Sequence, residues 1–277
     1  MKKYKRTLLM LGIVSLVFIL SACSKTPITN HSTGLWDGLI VLNFSRAIQW
    51  LASLFGGNYG VGIIAFTIIV RVILMPLMIF QTRSMRKTQE IQPQLKALQK
   101  KYSSRDRETR EKLSQEQQKL YSEAGINPMM GCLPAIVQLP IIWALYQAIW
   151  RTKVLRSGTF LWLSLGDKDP YFILPLLAAV ATFLSTWLAT KSAPETSSVN
   201  NMMVMGMPVI VFFTAMNVAS SLSLYWTVSY VFQVFQTLII QNPWKIQADR
   251  DAKEQVKLEH ERAMKRAVRK AKQSRRK

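Results

Sequence analysis

The stretch that decides the fold is residues 61–80, which read VGIIAFTIIVRVILMPLMIF. Arg71 is the only charged residue in this run of twenty. A helix needs roughly 17–25 predominantly apolar residues to cross a bilayer, so the run has the length of a membrane span. Four more apolar runs have comparable lengths, at residues 129–150, 171–190, 202–218 and 222–240. The sequence therefore predicts an all-α integral membrane protein with five transmembrane helices.

Composition excludes most other classes of protein. Of the 277 residues 49% are hydrophobic, and 36 Lys and Arg face 15 Asp and Glu, which gives a net charge of +21. Long apolar runs with the charge packed between them are not typical of a soluble enzyme. Two histidines and two cysteines are too few for an ordinary zinc site or Cys/His catalytic centre, and no Walker-type phosphate loop is present. We expect no metal, no cofactor and no enzymatic activity.

The N-terminus has the pattern of a targeting signal. Lys2, Lys3, Lys5 and Arg6 precede an apolar stretch, residues 7–20, that is too short to span a membrane. It ends in Leu20-Ser21-Ala22-Cys23, which resembles the lipobox of bacterial lipoproteins. This resemblance implies a signal peptide at residues 1–22, cleavage before Cys23 and a lipid anchor on its thiol. An ordinary signal with a chance cysteine, or an uncleaved anchor, remains the alternative.

The distribution of Lys and Arg predicts the orientation in the plasma membrane. If the mature N-terminus lies outside, segments 81–128, 191–201 and 241–277 are cytoplasmic and hold 11, 1 and 13 basic residues. The external segments 23–60 and 151–170 hold only 2 and 4. Basic residues concentrate on the cytoplasmic side of membrane proteins. The bias therefore agrees with the lipobox in placing the N-terminus outside and the C-terminus inside.

The external segment 23–60 contains one amphipathic pattern, within Gly34–Gly57. Its apolar positions recur at spacings of three and four: Ile40, Phe44, Ile48, Leu51 and Phe55. This spacing predicts a helix with one apolar face. Such a helix either lies in the membrane interface or packs as an external cap, and the sequence does not decide between the two.

The two largest cytoplasmic segments differ in character. Residues 83–125 carry two apolar stripes separated by Ser103-Ser104-Arg105-Asp106, which predicts a helical hairpin with a charged face that is either solvated or a binding surface. The stripes are Ile91, Leu95, Leu98 and Tyr102, then Leu113, Leu120, Tyr121 and Ala124. The tail, residues 241–277, has 13 basic and 5 acidic residues. Such a tail binds anionic lipids or ribosomal RNA, or it is solvated and only fixes the topology.

Arg71 is the candidate functional residue, because it is eleventh in its twenty-residue run and an arginine at mid-membrane is costly. None of the five predicted spans contains Asp or Glu. Water in a cavity, polar groups, a partner or an acidic ligand would have to stabilise the charge, unless the side chain snorkels to a surface. We therefore predict a hydrophilic groove, although each of its other polar residues, taken alone, more often forms hydrogen bonds between packed helices. The candidate groove residues are Thr67, Arg71, Gln138, Thr182, Ser185, Thr186, Trp226, Ser229, Tyr230 and Gln233.

Several motifs together resemble the YidC/Oxa/Alb family of membrane protein insertases. They are Asn127-Pro128-Met129-Met130-Gly131-Cys132-Leu133-Pro134, Gln138-Leu139-Pro140-Ile141, Met75-Pro76-Leu77 and Leu224-Tyr225-Trp226. The resemblance covers Gly60 to Trp244, and the lipoprotein signal is similar to that of Gram-positive members. It implies a groove open to the cytoplasm and to lipid but closed to the outside, with Arg71 in the groove and Trp226 in its wall.

The resemblance implies that the chain inserts nascent membrane proteins and helps them fold. It also implies contact with the ribosome through the tail and the hairpin, and with the general secretion channel. The alternative from another class is an anion-selective transporter or channel that uses Arg71 as its anion site. Missing intramembrane carboxylates and the lack of an inverted repeat speak against it. A third possibility, an assembly scaffold, predicts that Arg71 is dispensable.

Overall fold

The computed structural model describes residues 26–29, 31–104, 106–127, 133–191 and 198–274. The predicted signal peptide, Cys23, and residues 128–132 of the motif that runs from Asn127 to Pro134 lie outside the described residues. The described chain is mostly helical, with helices α1 Leu42–Leu54, α2 Tyr59–Ile73, α3 Met75–Glu90, α4 Gln92–Lys101, α5 Arg107–Glu123, α6 Leu133–Arg151, α7 Lys153–Arg156, α8 Ile173–Lys191, α9 Ser198–Met216, α10 Ser220–Gln236 and α11 Pro243–Ser274. Two π-helical segments, Leu35–Val41 and Thr237–Gln241, adjoin α1 and α10.

The chain divides into two compact units, and α2, α6, α10 and, by its last residue, α9 contribute to both. The first unit comprises the described part of Met1–Thr67, together with Val137–Phe172 and Met216–Tyr225. The second unit comprises Ile68–Ile136, Ile173–Ala215 and Trp226–Lys277 as far as they are described.

The first predicted span is not one continuous helix. The sequence predicted a span over residues 61–80, but α2 ends at Ile73 and α3 begins at Met75 and runs on to Glu90. Pro76 lies in the first turn of α3 and has no N–H, so the carbonyl of Val72 has no helical donor and the ladder is interrupted there. As a consequence, Arg71 lies in the last turn of a helix and not at the middle of one.

The other predicted spans correspond to α6, α8, α9 and α10. Within the described ranges, one helix by itself is long and apolar enough to cross a bilayer, Ile173–Lys191. The helical segments Leu35–Leu54 and Tyr59–Ile73 are long and apolar enough only when they are taken together, and the chain bends by 116° between them. Residues Met202–Met216 of α9 are apolar but shorter. The number of spans therefore stays a prediction.

Helix α1 packs into the first unit along one face. Val41 and Leu42 form a buried cluster with Ile28 and Ala148, and Phe44 meets Phe66 edge to face with ring centroids 5.0 Å apart. The buried face differs in part from the predicted stripe, because the predicted Phe55 is 52% exposed and Ser45 is buried. The Ser45 hydroxyl lies 2.9 Å from the Thr152 hydroxyl, so a polar contact inside the unit accounts for its burial.

A short β-hairpin, which the sequence did not predict, follows α7 in the first unit. Strands β1 (Thr159–Phe160) and β2 (Leu163–Ser164) pair antiparallel. The loop that follows them holds the start of α10, because the carbonyl of Asp167 accepts hydrogen bonds from the backbone N–H of Ser220 at 2.6 Å and from its hydroxyl at 2.8 Å. These contacts occupy backbone groups that a helix start leaves unsatisfied.

The second unit contains the segment predicted as a two-helix hairpin. Its first arm consists of the end of α3 and of α4, which are interrupted at Ile91 because Pro93 lies in the first turn of α4; α5 is the second arm. Ile91 and Leu95 pack with Ile126, and Leu120, Tyr121 and Ala124 cover them. The tail forms the 32-residue helix α11, where the sequence predicted only a basic segment.

Candidate functional site

Arg71 lies in the last turn of α2, and its side chain is half-buried. The break after this turn is short, because the backbone N–H of Leu74 donates to the carbonyl of Val70 and that of Met78 to the carbonyl of Leu74, both at 3.0 Å. Thr67 lies one turn earlier in the first unit, is fully buried, and donates its hydroxyl proton to the carbonyl of Ile63 at 2.7 Å. Arg71 and Thr67 therefore lie one turn apart on α2, just before the interruption that the sequence did not predict.

The candidate hydroxyl side chains of α8 donate hydrogen bonds to backbone carbonyls of the same helix. Thr182 donates to the carbonyl of Ala178 at 2.7 Å, while Ser185 and Thr186 donate to the carbonyl of Thr182 at 3.0 and 2.8 Å. Thr182 and Ser185 are buried. A hydroxyl bonded to its own helix needs no water, so these contacts indicate helix packing more than a wetted wall.

The candidate residues of α10 are in different environments. Trp226 and Tyr230 are half-buried and Gln233 is exposed. The hydroxyl oxygen of Ser229 is buried, and it has no hydrogen-bond partner among the described residues. Buried hydroxyls are normally hydrogen-bonded, so an ordered water or a visiting polar group is expected at Ser229.

The candidate residues do not all lie in one unit. Arg71, the three α8 residues and the four α10 residues belong to the second unit, whereas Thr67 and Gln138 belong to the first. In the first unit, the side-chain amide of Gln138 donates to the hydroxyl of the buried Tyr225 at 2.5 Å. The side chain of Gln138 therefore binds another residue of the protein, Tyr225, which precedes Trp226 in the sequence.

Arg151, at the end of α6, makes a dense set of contacts that sequence reasoning missed. Its two terminal nitrogens donate to the two carboxylate oxygens of Asp37 at 2.8 and 2.6 Å. The same guanidinium donates to the side chain of Gln147 at 2.7 Å and to the carbonyl of Thr26 at 2.8 Å. Asp37 is the single carboxylate of residues 23–60, which is the signal that could have suggested the pair.

No group of three or more His, Cys, Asp or Glu side chains arranged to hold a metal ion occurs in the part of the chain that the structure describes. The polar groups that remain for chemistry are a cation at a helix end, aromatic faces, an amide and a hydroxyl. This set can attract and position a polar or acidic segment.

Comparison with known sequences decides the family. The sequence model of the family described as 60Kd inner membrane protein matches residues 50–248, which is more than half of the chain. The chain belongs to this family. Membership places it in the cell membrane and agrees with the resemblance to the YidC/Oxa/Alb insertases.

Curated relatives in this family cover nearly the whole chain. The chain is 58% identical over 255 residues to a protein of Pediococcus pentosaceus named membrane protein insertase YidC, covering 91% of both chains. It is 56% identical over 267 residues to the protein of the same name from Enterococcus faecalis, covering 96% of both.

A solved structure in the family has the same fold over much of the chain. Its title is "Active YidC insertase crystal structure with the first transmembrane domain resolved". The TM-score is 0.57 at 30% identity, over 74% of this chain and 47% of that one. The chain thus spans about half the length of the crystallised protein.

Proposed function

We propose that this protein is an insertase that integrates nascent membrane proteins and assists their folding. One observation carries the proposal: relatives 56–58% identical over more than nine-tenths of both chains bear the name membrane protein insertase. A likeness of that extent leaves no large part of the chain for a different activity.

Arg71 is the centre of the proposed mechanism. Its positive charge attracts an acidic or polar segment of the client into the groove, where a Coulomb interaction is stronger than in bulk water. The client's hydrophobic stretch stays at the side open to lipid and moves into the bilayer, and the burial of its apolar residues drives release. No nucleotide takes part in this scheme.

The geometry supports a smaller groove than the one predicted from sequence. The hydroxyls of Thr67, Thr182, Ser185 and Thr186 are bonded within their own helices. In the second unit Arg71, Trp226, Tyr230 and Gln233 keep at least part of their side chains accessible. We therefore assign the client contacts to these four and a bound water to the hydroxyl of Ser229.

Reconstitution in liposomes tests the proposal against the transporter alternative. Purified protein should integrate a short single-span membrane protein into sealed liposomes, measured by protease protection, while the same liposomes show no selective flux of chloride or phosphate. Anion flux without integration would establish the transporter and refute the insertase.

The proposed topology has the mature N-terminus outside, anchored through Cys23, and α11 in the cytoplasm. Cysteines introduced at Ser104 and Ser274 in a Cys132→Ser background should be shielded from an impermeant thiol reagent in intact cells, while one at Ser157 should react. Mass spectrometry should find the mature chain beginning at a lipid-modified Cys23. Reaction of Ser104→Cys from outside would refute the topology, and an intact Met1 would refute the lipid anchor.

The basic tail is proposed to hold translating ribosomes, with anionic lipids as its competing partner and the secretion channel as a further neighbour. Truncation after Trp244 removes all 13 basic residues of the tail. Co-sedimentation with ribosomes should weaken and lose much of its salt dependence, because fewer counterions are released on binding. Unchanged binding at low and high salt would assign the tail to lipid or to topology.

A further inference from the structure

We propose that a cavity beside the end of α6 binds the phosphodiester group of an anionic phospholipid. The cavity lies within the first unit and has a volume of about 620 Å³. The residues of interest in its wall are Trp150, Lys153, Arg156, Ser157, Ser164 and Asp167. The inference is independent of the insertase activity and of which leaflet the lipid occupies.

The charges around the cavity favour an anion. Arg151 also lines it, but its guanidinium is committed to Asp37. Lys153 and Arg156 are exposed, and within the described ranges neither forms a salt bridge to a carboxylate. The one carboxylate in the wall, Asp167, accepts a hydrogen bond from the Ser164 hydroxyl at 2.7 Å. Two cations against one acid leave an excess of positive charge.

Arg156 is the residue in the wall best suited to bind phosphate oxygens. The carbon of its guanidinium lies 4.0 Å from the centre of the Trp150 ring. Contact with an aromatic face steadies the guanidinium and leaves N–H donors for a ligand. A planar guanidinium binds phosphate through two parallel hydrogen bonds, and the Ser157 hydroxyl in the same wall is a further donor.

The position of the cavity indicates a lipid as the source of the phosphate. The apolar helix α6 ends at Trp150 and Arg151. In the proposed topology α6 crosses the bilayer, so this end lies at the depth of the headgroups. The first unit exposes large aromatic side chains with polar tips, namely Trp50, Trp150, Trp162 and Tyr171. Exposed Trp and Tyr are typical of the membrane interface, which is the depth of the lipid phosphates.

Single-charge substitutions in the full-length protein test the proposal. Native mass spectrometry of the detergent-solubilised protein, with phosphatidylglycerol and phosphatidylcholine as probes, measures retention of each lipid. Arg156→Gln should weaken phosphatidylglycerol binding at least fivefold, and adding Lys153→Gln should weaken it further. Lys168→Gln is the matched control, because Lys168 is exposed in the same segment, contacts Asn217 and does not line the cavity. We expect that control to change binding less than twofold.

Three results would overturn the proposal. Equal losses in Arg156→Gln and Lys168→Gln would show non-specific attraction to surface charge. Equal retention of phosphatidylcholine and phosphatidylglycerol would show that the cavity does not recognise the net negative charge of the lipid, and would refute binding of an anionic phospholipid. Displacement of phosphatidylglycerol by equimolar inorganic phosphate would assign the cavity to a soluble phosphate. If Arg156→Gln lowers the unfolding temperature, its lipid binding cannot be interpreted, and Lys153→Gln is compared with Lys168→Gln in its place. Lys153 is exposed and does not have the contact with Trp150 that Arg156 has. Equal binding in these two variants would overturn the proposal.

Discussion

Two arginines in this protein occupy the same kind of position and differ in their surroundings. Arg71 and Arg151 each lie in the last turn of an apolar helix, α2 and α6. The side chain of Arg151 is only 3% exposed, and it pairs with both carboxylate oxygens of Asp37. Arg71 is half-buried in the second unit, and none of the five predicted spans of the chain contains a carboxylate. A cation at a helix end therefore does not by itself indicate function; the groups around it do.

The two units also differ in how closely they pack at two of their glycines. In the first unit α1 and α2 approach so closely that a Cβ at Gly62 would lie 2.7 Å from the backbone oxygen of Ile48. At Gly206, in the second unit, a Cβ would meet nothing within 4 Å. The first unit is thus closely packed at Gly62, whereas α9 in the second unit has open surface at Gly206.

The largest effect on stability is expected from Arg151→Ala. Removing one partner of a buried ion pair leaves the Asp37 carboxylate without the two donors of Arg151, and because the Asp37 side chain is 26% exposed we expect a loss of about 3 kcal/mol in the free energy of unfolding. Thermal unfolding in detergent measures it. Lys168→Ala, an exposed cation, should change stability little. The exchange Asp37→Arg with Arg151→Asp should recover part of the loss, and no recovery would indicate that the contact is not mainly electrostatic.

A second pair of variants tests the packing difference. Gly62→Ala should destabilise the protein by roughly 1–3 kcal/mol, because the atoms in its way are backbone atoms that cannot rotate aside. Gly206→Ala should be neutral or stabilising by up to about 1 kcal/mol, since alanine is the better helix former. Unfolding temperatures of the two variants give the comparison. Equal effects would mean that the first unit is no more closely packed than α9.

The sequence predicted a mostly helical chain, because long apolar runs leave few alternatives in a membrane, but it did not predict the long helix of the tail. Local motifs predicted the family. The break at Leu74 was not predicted, although its cause, Pro76, is part of the sequence. The contact between Asp37 and Arg151 joins residues 114 positions apart, so no local pattern contains it. The hydroxyls of α8 could not be assigned either, since a Thr that lines a groove and a Thr that bonds its own carbonyl have the same spacing.

The smallest effect is expected at the start of α5. Asp106 caps this helix by accepting from the backbone N–H of Thr109 at 2.8 Å. The Ser104 hydroxyl, followed by that N–H, lowers the pKa of Asp106 from 3.8 to about 2. The cap therefore stabilises the helix above pH 3.8, and this contribution is lost as the pH falls through about 2.

Hydrogen exchange of the first amides of α5 measures the effect of the cap. Asp106→Ala should speed exchange there at neutral pH, and Asp106→Asn should preserve more protection because it keeps an acceptor. Ser114→Ala, an exposed position on the same helix, is the control. Equal exchange rates in Asp106→Ala and the unsubstituted protein would show that the cap is not formed in solution.

The central claim is that the positive charge of Arg71 receives the polar end of a client. The most direct measurement is the insertion rate in liposomes of two clients that differ only in an acidic or a neutral translocated end, at equal amounts of insertase. Arg71→Ala should slow the acidic client at least tenfold, about 1.4 kcal/mol, and the neutral client less. Arg71→Lys should keep most of the activity, because it retains the charge and loses only the planar fork. Normal insertion of the acidic client by Arg71→Ala would contradict the account.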